Sequence, residues 1–439
     1  MSFRWPAIAA AILAVAPFAH AQSVKLAEEL KPGDHFKYDL KLTVTGRMKV
    51  ERDGKPDPLP IEAEATHQFV ERIESADAGG GAGKVLRHYT VATSKSRVGS
   101  DKSTRELPAD RRFTVASRTA TKTLHLSPDG PLTRDELDLV GEHFDTMCLP
   151  ALLPGKEVKV GDTWAVPADA VQHALLFDGV LKHDLKGTLV KVEKGVAEFS
   201  VSGIAEGTEL GAKAIVVVTA TGKFDTTAGR ITSLTWEQED DRTQGPATPA
   251  VEVKAKVVLT RAACEEPKEM NAEARAKVPA EANVAALTRL RLTSADGTFA
   301  FTYPREWVIV GQTKDHLVLR LLDKGEFVAQ VTMTNWKAAE AGKHSTPDEF
   351  KDRLAKLPQW EPERVTADKE VPLDAGRWLY RVSAVGKQDG TPVVQTFYLL
   401  AGANGRQLSV AVMSAPDKAA ALAAREEDLL KAITFPERK

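Results

Sequence analysis

Histidine and carboxylate side chains come closest together in sequence between residues 173 and 184. The four residues are His173, Asp178, His183 and Asp184. Such groups bind Zn²⁺ or a related ion when three or four of them converge. Their spacing matches no helical or hairpin metal site, because His173 lies in a short predicted helix and His183 begins a predicted strand. We therefore predict solvated or locally hydrogen-bonded histidines here, and no metal site.

Cys148 and His143 form a cysteine–histidine pair that is close in sequence. A thiolate beside a histidine can act as a nucleophile, but nothing nearby in the sequence orients His143. Acidic pairs such as Glu206 and Glu209 would serve glycoside hydrolysis only if both faced one sugar cleft, which sequence separation does not show. The sequence therefore predicts no catalytic residues and a protein that is not an enzyme.

The two cysteines of the chain, Cys148 and Cys264, form a candidate disulfide. A single pair of cysteines in an exported protein is compatible with one bridge. A bridged Cys148 would not be available as a nucleophile. Two separate buried thiols are the alternative, and the sequence does not decide between them.

Motifs for acyl transfer, phosphate binding, metalloprotease and redox chemistry do not occur. The chain has no G-x-S-x-G, G-x-x-x-x-G-K-[ST], H-E-x-x-H or C-x-x-C. The glycines at 79–81 stand between two predicted strands, which is typical of a hairpin loop and not of a phosphate cradle. We therefore predict no cofactor.

The charges of the chain nearly balance. Lys and Arg number 59 and Asp and Glu number 61, for a formal net charge of −2. This balance provides no excess of positive charge for binding nucleic acid. The 439 residues, 43% of them hydrophobic, indicate an ordinary globular protein of two or three domains.

The first residues have the features of a signal peptide. Arg4 precedes an apolar run at residues 7–16, and Ala19, His20 and Ala21 fit a cleavage site. We predict a signal peptide at 1–21, cleavage near Ala21-Gln22 and a periplasmic or secreted protein with no membrane span after cleavage. The apolar run is short for a span, and an uncleaved anchor is the alternative.

Residues 22–263 are predicted to form an antiparallel β-rich domain. From Asp34 onward apolar residues alternate with polar ones, as at Phe36, Tyr38 and Leu40, and similar segments recur to about residue 262. Between them lies one helix, for which Thr133 provides the N-cap. Such strands must pair face to face or curl, so we predict a half-barrel-like domain with one crossing helix.

Residues 264–290 are rich in Ala, Glu, Lys and Pro and are predicted to be a linker to a second domain at 291–439. A second helix has Thr346 as N-cap, Pro347 as its first residue and Glu349 as capping-box partner. Several strands and a closing helix follow it.

The segment "FTYPREW" at 301–307, together with this order of elements, resembles the PsbP-like family over about residues 297–437. The resemblance implies an α/β/α sandwich with Trp307 in its core, and it implies nothing specific about function. The predicted fold class is therefore α+β: an N-terminal antiparallel β-rich, half-barrel-like domain and a C-terminal PsbP-like α/β/α sandwich.

These features predict an exported, non-catalytic binding or interaction protein of the bacterial cell envelope. Its partner would be an unknown envelope protein or an apolar small molecule, and not nucleic acid. One alternative is a carrier of an apolar ligand, such as a lipid, in the N-terminal β-bowl. Another is a hydrolase acting on envelope polymers. We also expect two independent cores, with no gathering of histidines or acids around one hollow.

Overall fold

The computed structural model describes residues 23–76, 81–141, 144–279, 284–373 and 376–437. The predicted signal peptide and its cleavage site lie outside the described residues. So do Gly79, Gly80 and His143.

The chain is mostly β, with 56% of it in strands and 15% in helices. The predicted α+β class with an α/β/α sandwich is therefore wrong. The second half of the chain has a seven-stranded sheet, and the helices on its two faces have 8 and 14 residues. Two helices of this length cover part of such a sheet without forming helical layers, and the last strand of the sheet stays largely exposed.

Most strands of the first half join one antiparallel sheet of 13 strands. The strands are β1 (Ser23–Leu26), β2 (His35–Lys49), β3 (Glu51–Arg52), β4 (Lys55–Pro56), β5 (Leu59–Ala76), β6 (Ala82–Val98), β7 (Asp101–Glu106), β8 (Phe113–Arg118), β9 (Thr123–Leu126), β10 (Lys156–Lys159), β11 (Thr163–Ala165), β12 (Gly179–His183), β13 (Lys186–Glu193), β14 (Val196–Glu209), β15 (Ala212–Asp225), β16 (Arg230–Arg242) and β17 (Ala250–Ala263). The order across the sheet is β11-β13-β14-β15-β16-β17-β2-β5-β6-β8-β9, with β12 beside β14 and β7 beside β6. β1 pairs with β10, and β3 with β4, outside it.

Alternation of side chains gives the first sheet an inner, buried face. In β15, Ala214 and Val216 are buried, whereas Ile215 and Val217, which alternate with them, are exposed. Residues two apart point to the same face of a strand. Paired residues of neighbouring strands also share a face, so the buried inner face continues from strand to strand across the sheet. The predicted alternation is confirmed.

Two helices and a 3-10 helix cover part of this inner face. They are α1 (Arg134–Gly141), the 3-10 helix Thr146–Leu152 and α2 (Ala168–Ala174). The predicted capping box of α1 is confirmed: the amide of Glu136 donates to Thr133 Oγ1 at 3.2 Å, and the amide of Thr133 donates to Glu136 Oε2 at 2.8 Å. Met147 and Leu149 of the 3-10 helix are buried in the same cluster as Tyr38 of β2.

The segment after β17 packs on the opposite face of the first sheet. A 3-10 helix at Lys268–Met270 leads into α3 (Ala272–Ala276) and α4 (Val284–Thr288). Met270 is fully buried with Leu86 and Phe113 in a small separate cluster. The segment predicted as a linker is therefore attached to the sheet by apolar contacts.

The second half of the chain forms a hairpin and the seven-stranded sheet. Its elements are β18 (Leu290–Thr293), β19 (Ala300–Tyr303), β20 (Trp307–Gln312), β21 (His316–Asp323), β22 (Glu326–Trp336), α5 (Pro347–Leu354), β23 (Trp360–Glu370), β24 (Trp378–Gln388), β25 (Thr391–Ala401), β26 (Gln407–Ser414) and α6 (Ala419–Ala432). β18 pairs with β19, and the larger sheet has the order β20-β21-β22-β26-β25-β24-β23.

Each face of this second sheet has a helix. Leu399 packs with Phe350 of α5, whereas Leu400, the next residue of β25, belongs to the cluster that contains Leu429 of α6. The predicted capping box of α5, with Pro347 as its first residue, is confirmed. Trp307 is 2% exposed, so its predicted place in the core is also confirmed. Among the described residues, no helix has the length and apolar character needed to cross a membrane.

The two halves contact each other through polar groups. The amide of Arg291 donates to the carbonyl of Leu132 at 2.9 Å, and its Nη2 donates to Glu136 Oε1 at 2.7 Å. Arg305 Nη2 donates to the carbonyl of His125 at 2.5 Å. The hairpin β18–β19 and the residues after it therefore connect the second sheet to α1 and β9.

Apolar contacts also continue between the halves. One contiguous cluster contains buried residues of both sheets, among them Leu40 of β2 and Leu319 of β21. The expectation of two independent cores is therefore wrong, although the fold remains two-domain-like. The predicted boundaries of the domains stay a prediction.

Candidate functional site

A cavity of about 470 Å³ opens on the inner side of the first sheet. Its lining comes from β6, the β8–β9 hairpin, α1, α2, the β14–β15 turn and β16. Gln172 Nε2 of α2 donates to the carbonyl of Thr121, in the β8–β9 turn, at 2.6 Å. The sheet therefore curves until elements from its two edges meet. We call this hollow the polar cavity.

One side of the polar cavity, the basic wall, is built by β6, β9 and the elements next to them. Its charged and imidazole side chains are Arg87, Lys122, His125, Arg134 and Asp145. The described lining residues of this side include three cations and one carboxylate.

The other side, the acidic wall, is built by α2, β14, β16 and the turns that follow α2 and β14. Its charged and imidazole side chains are His173, Asp178, Glu209, Asp240 and Arg242. The described lining residues of this side include three carboxylates and one cation.

Arg87 is fully buried and held in place by anions. Its Nε donates to Glu71 Oε2 at 2.9 Å, its Nη2 donates to Thr146 Oγ1 at 2.9 Å, and Asp145 Oδ1 lies 3.8 Å from Nη2. Burial opposes the charge, but Glu71 and Asp145 outweigh it and raise the pKa of Arg87 above its usual value. Nη1 of Arg87 has no hydrogen-bond partner among the described residues.

His125 lies in the basic wall as a neutral ring. Burial lowers its pKa to about 3, and the nearby Arg87 acts in the same direction. Its Nδ1 has no partner within the part of the chain that the structure describes. A Cβ added to Gly141 would lie 3.2 Å from the ring, so the end of α1 packs directly against His125.

Asp145 keeps its negative charge although it is buried. Burial alone would raise its pKa, but Arg87, Arg118 and a 2.7 Å hydrogen bond from Thr123 Oγ1 lower the pKa below its usual value. The other carboxylate oxygen accepts from the amide of Met147 at 3.0 Å and caps the buried 3-10 helix. Asp145 therefore lines the cavity and also caps a helix that is buried in the core.

His173 and Asp240 give the acidic wall two acceptor atoms. His173 Nδ1 lies 2.7 Å from the carbonyl of Asp169, which can only accept. Nδ1 therefore carries a proton, and in the uncharged form of the ring Nε2 accepts a hydrogen bond. Asp240 is 7% exposed, and burial raises its pKa although Arg242 Nη2 donates to Oδ2 at 3.1 Å. His173 Nε2 and Asp240 Oδ1 have no partner among the described residues.

The structure brings together only some of the four residues His173, Asp178, His183 and Asp184 that were considered as metal ligands. His173 and Asp178 line the polar cavity. Asp184 instead accepts the amide of Ile204 at 2.6 Å, on the edge of the sheet, and His183 next to it is not part of the lining. No group of three metal-binding side chains occurs among the residues that the structure describes.

The other sequence candidates lie apart from one another. Cys148 and Cys264 are both free, so the structure shows two thiols and no bridge. Cys148 is buried, and burial raises the pKa of its thiol. Cys264 is half-buried at the end of β17. Glu209 lines the polar cavity, whereas Glu206 pairs with Lys182 at 2.8 Å.

Apart from His173 and Asp178, most residues that give the cavity its chemistry were not identified from the sequence. Arg87, His125, Asp145 and Asp240 lie on separate elements, and no local motif joins them. One signal was available: Arg87 is in phase with the buried Val85 and Tyr89 of β6. A charged residue at a buried position of a strand needs a partner. The expectation that no histidines and acids gather around one hollow is wrong.

Comparison with known proteins gives no family for the chain. No family model matches the sequence, and no curated protein matches it.

Solved structures with a similar fold cover parts of the chain. Cyanobacterial PsbP (CyanoP) from Synechocystis matches with 12% identity and a TM-score of 0.27, over 34% of this chain and 92% of its own. The Ran-binding protein Mog1p of Saccharomyces cerevisiae matches with 12% identity and a TM-score of 0.25, over 34% of this chain and 95% of its own. Lipovitellin matches with 9% identity and a TM-score of 0.30, over 55% of this chain and 26% of its own.

These are weak resemblances of fold. They include the PsbP fold over about a third of the chain, and membership of the PsbP-like family stays a prediction.

Proposed function

We propose that this protein is an exported, non-catalytic binding protein of the bacterial cell envelope, and that a small polar molecule binds in its polar cavity. One observation carries the proposal. Four side chains that are at least nine-tenths buried line one cavity, and each has a polar atom without a partner among the described residues; they are Arg87, His125, His173 and Asp240. A volume of about 470 Å³ lies in the range of ligand sites.

The energy of these atoms supports a ligand. A buried polar group without a hydrogen bond costs about 1–3 kcal/mol, and more when it is charged. Native folds contain few such groups, and those that persist need an explanation such as an ion, ordered water or a ligand. Four of them around one hollow are explained together if a bound molecule supplies their partners.

The apolar-carrier alternative has less support. The inner face of the first sheet is occupied by buried side chains of the 3-10 helix, including Met147 and Leu149. A lipid on this face would have to displace them. The remaining hollow presents guanidinium, imidazole and carboxylate groups, whose desolvation by an acyl chain is unfavourable.

The hydrolase alternative also has less support. A general base works best when its pKa is near the working pH, and burial lowers the pKa of His125 to about 3. Burial also raises the pKa of the Cys148 thiol, which disfavours the nucleophilic thiolate. The absence of catalytic residues stays a prediction.

Export to the periplasm or beyond rests on the sequence of the first 21 residues. A periplasmic protein meets small molecules that have crossed the outer envelope, which fits a binding role.

Analysis of the protein purified from its own envelope tests the proposal. Small molecules released by denaturation would be measured by mass spectrometry for the wild type and for Gln238→Trp, which places a large ring at a residue lining the cavity. Thr219→Trp, on the exposed outer face of β15, is the matched control. We expect a polar compound in near-stoichiometric amount in the wild type and the control, and its loss in Gln238→Trp. Equal amounts in all three proteins, or a lipid as the released compound, would contradict the proposal.

A further inference from the structure

The two walls of the polar cavity differ in the sign of their charge. The basic wall has three cations and one carboxylate among its described residues, and the acidic wall has three carboxylates and one cation. The described lining of the cavity is therefore neutral as a whole and polarised across its width.

Arg87 and Asp240 do not neutralise each other across the cavity. Arg87 is paired with Glu71 and Asp145 on its own side. Asp240 is paired with Arg242 on its own side. Each still has one buried polar atom without a partner among the described residues, Nη1 of Arg87 and Oδ1 of Asp240.

These atoms require a ligand with two different ends. Nη1 of Arg87 can only donate, so it needs an acceptor, and a carboxylate is an acceptor whose geometry and charge match a guanidinium. The Nε2 lone pair of His173 and Oδ1 of Asp240 need donors. An ammonium group supplies up to three N–H donors together with a positive charge.

We propose that the polar cavity binds a zwitterion, an α-amino acid or short peptide, with its carboxylate on the basic wall at Arg87 and its ammonium group on the acidic wall at Asp240 and His173. This inference rests on the proposed binding function and specifies the ligand class.

A ligand with a single charge would satisfy only one wall. A simple anion would leave Asp240 Oδ1 and His173 Nε2 without donors, and a simple cation would leave Arg87 Nη1 without an acceptor. At buried positions such as those of Arg87 and Asp240, each unsatisfied charged group costs more than it would at the surface. A zwitterion satisfies both walls and adds no net charge to the cavity.

Isothermal titration calorimetry with the full exported chain, dialysed to remove bound small molecules, tests this inference. The probes are alanine, Ala-Ala and Ala-Ala-Ala, which vary the distance between the charged ends. For the peptide that binds best, the N-acetylated and C-amidated forms each lack one charge. We expect each blocked form to bind about tenfold more weakly or worse, because each loses a charge-assisted hydrogen bond.

Two neighbouring aspartates supply a matched pair of variants. Asp240→Asn removes the negative charge at the acidic wall and keeps the shape of the side chain. Asp241→Asn is the control, since Asp241 points to the other face of β16 and pairs with Lys49 at 3.0 Å. We expect Asp240→Asn to bind the free and N-acetylated peptides with similar affinity, and Asp241→Asn to keep the preference for the free amine.

The outcomes separate the two proposals. Equal binding of blocked and free peptides would overturn the zwitterion proposal and leave the binding function intact. So would the absence of binding by all three zwitterions if Gln238→Trp still removes a native ligand. If the protein carries no cavity-dependent ligand and binds none of the probes, the binding function fails with it.

Discussion

The two sheets of the protein differ in what their cores contain. The inner face of the first sheet buries Glu71, Arg87 and Arg261 together with two histidines, His67 and His125. The buried side chains of the second sheet are mostly apolar, and the packing of Phe350 against one of its faces is typical. Charge in a core costs stability unless it is fully paired. Under the proposed function, the first sheet would hold the binding site and the second sheet would support it.

Replacement of Arg87, the buried cation beside the cavity, should have the largest effect on the free energy of unfolding. We expect Arg87→Met to destabilise the protein by about 3–5 kcal/mol, because it leaves Glu71 and Asp145 as buried carboxylates without their partner. Leu319→Met, a swap at a fully buried position of the second sheet, should cost less than about 1.5 kcal/mol. Urea unfolding followed by circular dichroism measures both. Equal losses in the two variants would remove the contrast between the sheets.

Truncation of a helix residue packed on the second sheet should affect stability and not binding. Phe350 of α5 is fully buried against the face of the second sheet whose apolar cluster is separate from the cluster next to the polar cavity. We expect Phe350→Ala to cost about 3 kcal/mol through the cavity that it creates. Ligand retained by the folded protein, measured by mass spectrometry after native purification, should equal that of the wild type. A loss of ligand would show that the second sheet contributes to the site.

A lower pH should destabilise the protein because of two buried histidines in the first sheet. Burial lowers the pKa of His67 to about 4 and that of His125 to about 3, from an ordinary value of 6.5. Below pH 6.5 the unfolded chain therefore binds protons that the folded chain does not. Each histidine should remove about 1.4 kcal/mol of stability per pH unit, down to about pH 4 for His67 and about pH 3 for His125.

Urea unfolding at pH 7, 6, 5 and 4 checks this slope. His125→Asn should reduce the dependence of the unfolding free energy on pH by the contribution of one histidine. Leu319→Met in the second sheet, which changes no titratable group, should leave this dependence unchanged. A slope that is the same in all three proteins would contradict the assignment.

Helix caps should give the smallest effects. Thr133→Ala and Thr346→Ala each remove a capping box, of α1 and α5, and each should cost about 1 kcal/mol. Only Thr133→Ala should also weaken ligand binding, because α1 ends at Gly141 against His125 in the cavity. Thermal unfolding gives the stabilities, and calorimetry with the bound compound gives the affinities. Equal effects of both caps on affinity would argue against a site confined to the first sheet.

The sequence predicts the local part of this fold. Alternation at Phe36, Tyr38 and Leu40 identifies a strand with one buried face, and Thr133 and Thr346 identify two helix starts. These signals act within a few residues, so they are visible in the sequence. The predicted fold class was wrong because large antiparallel sheets dominate the chain, with 56% of it in strands and 15% in helices.

The site was not predicted, because its residues meet only through long-range pairing. β17 lies beside β2, and the sheet curves until the β8–β9 turn reaches α2. Alternation shows which side of a strand is buried but not which strand is its neighbour. Arg87 and Asp240 are 153 positions apart in the sequence, and nothing local to either residue indicates that the other is near it.

A crystal structure of the protein purified from its own envelope tests the central claim most directly. The account predicts electron density for a small polar molecule in the polar cavity, with an acceptor atom within hydrogen-bond distance of Arg87 Nη1 and a donor near Asp240 Oδ1. A cavity filled by the protein's own side chains, or by an acyl chain, would contradict it.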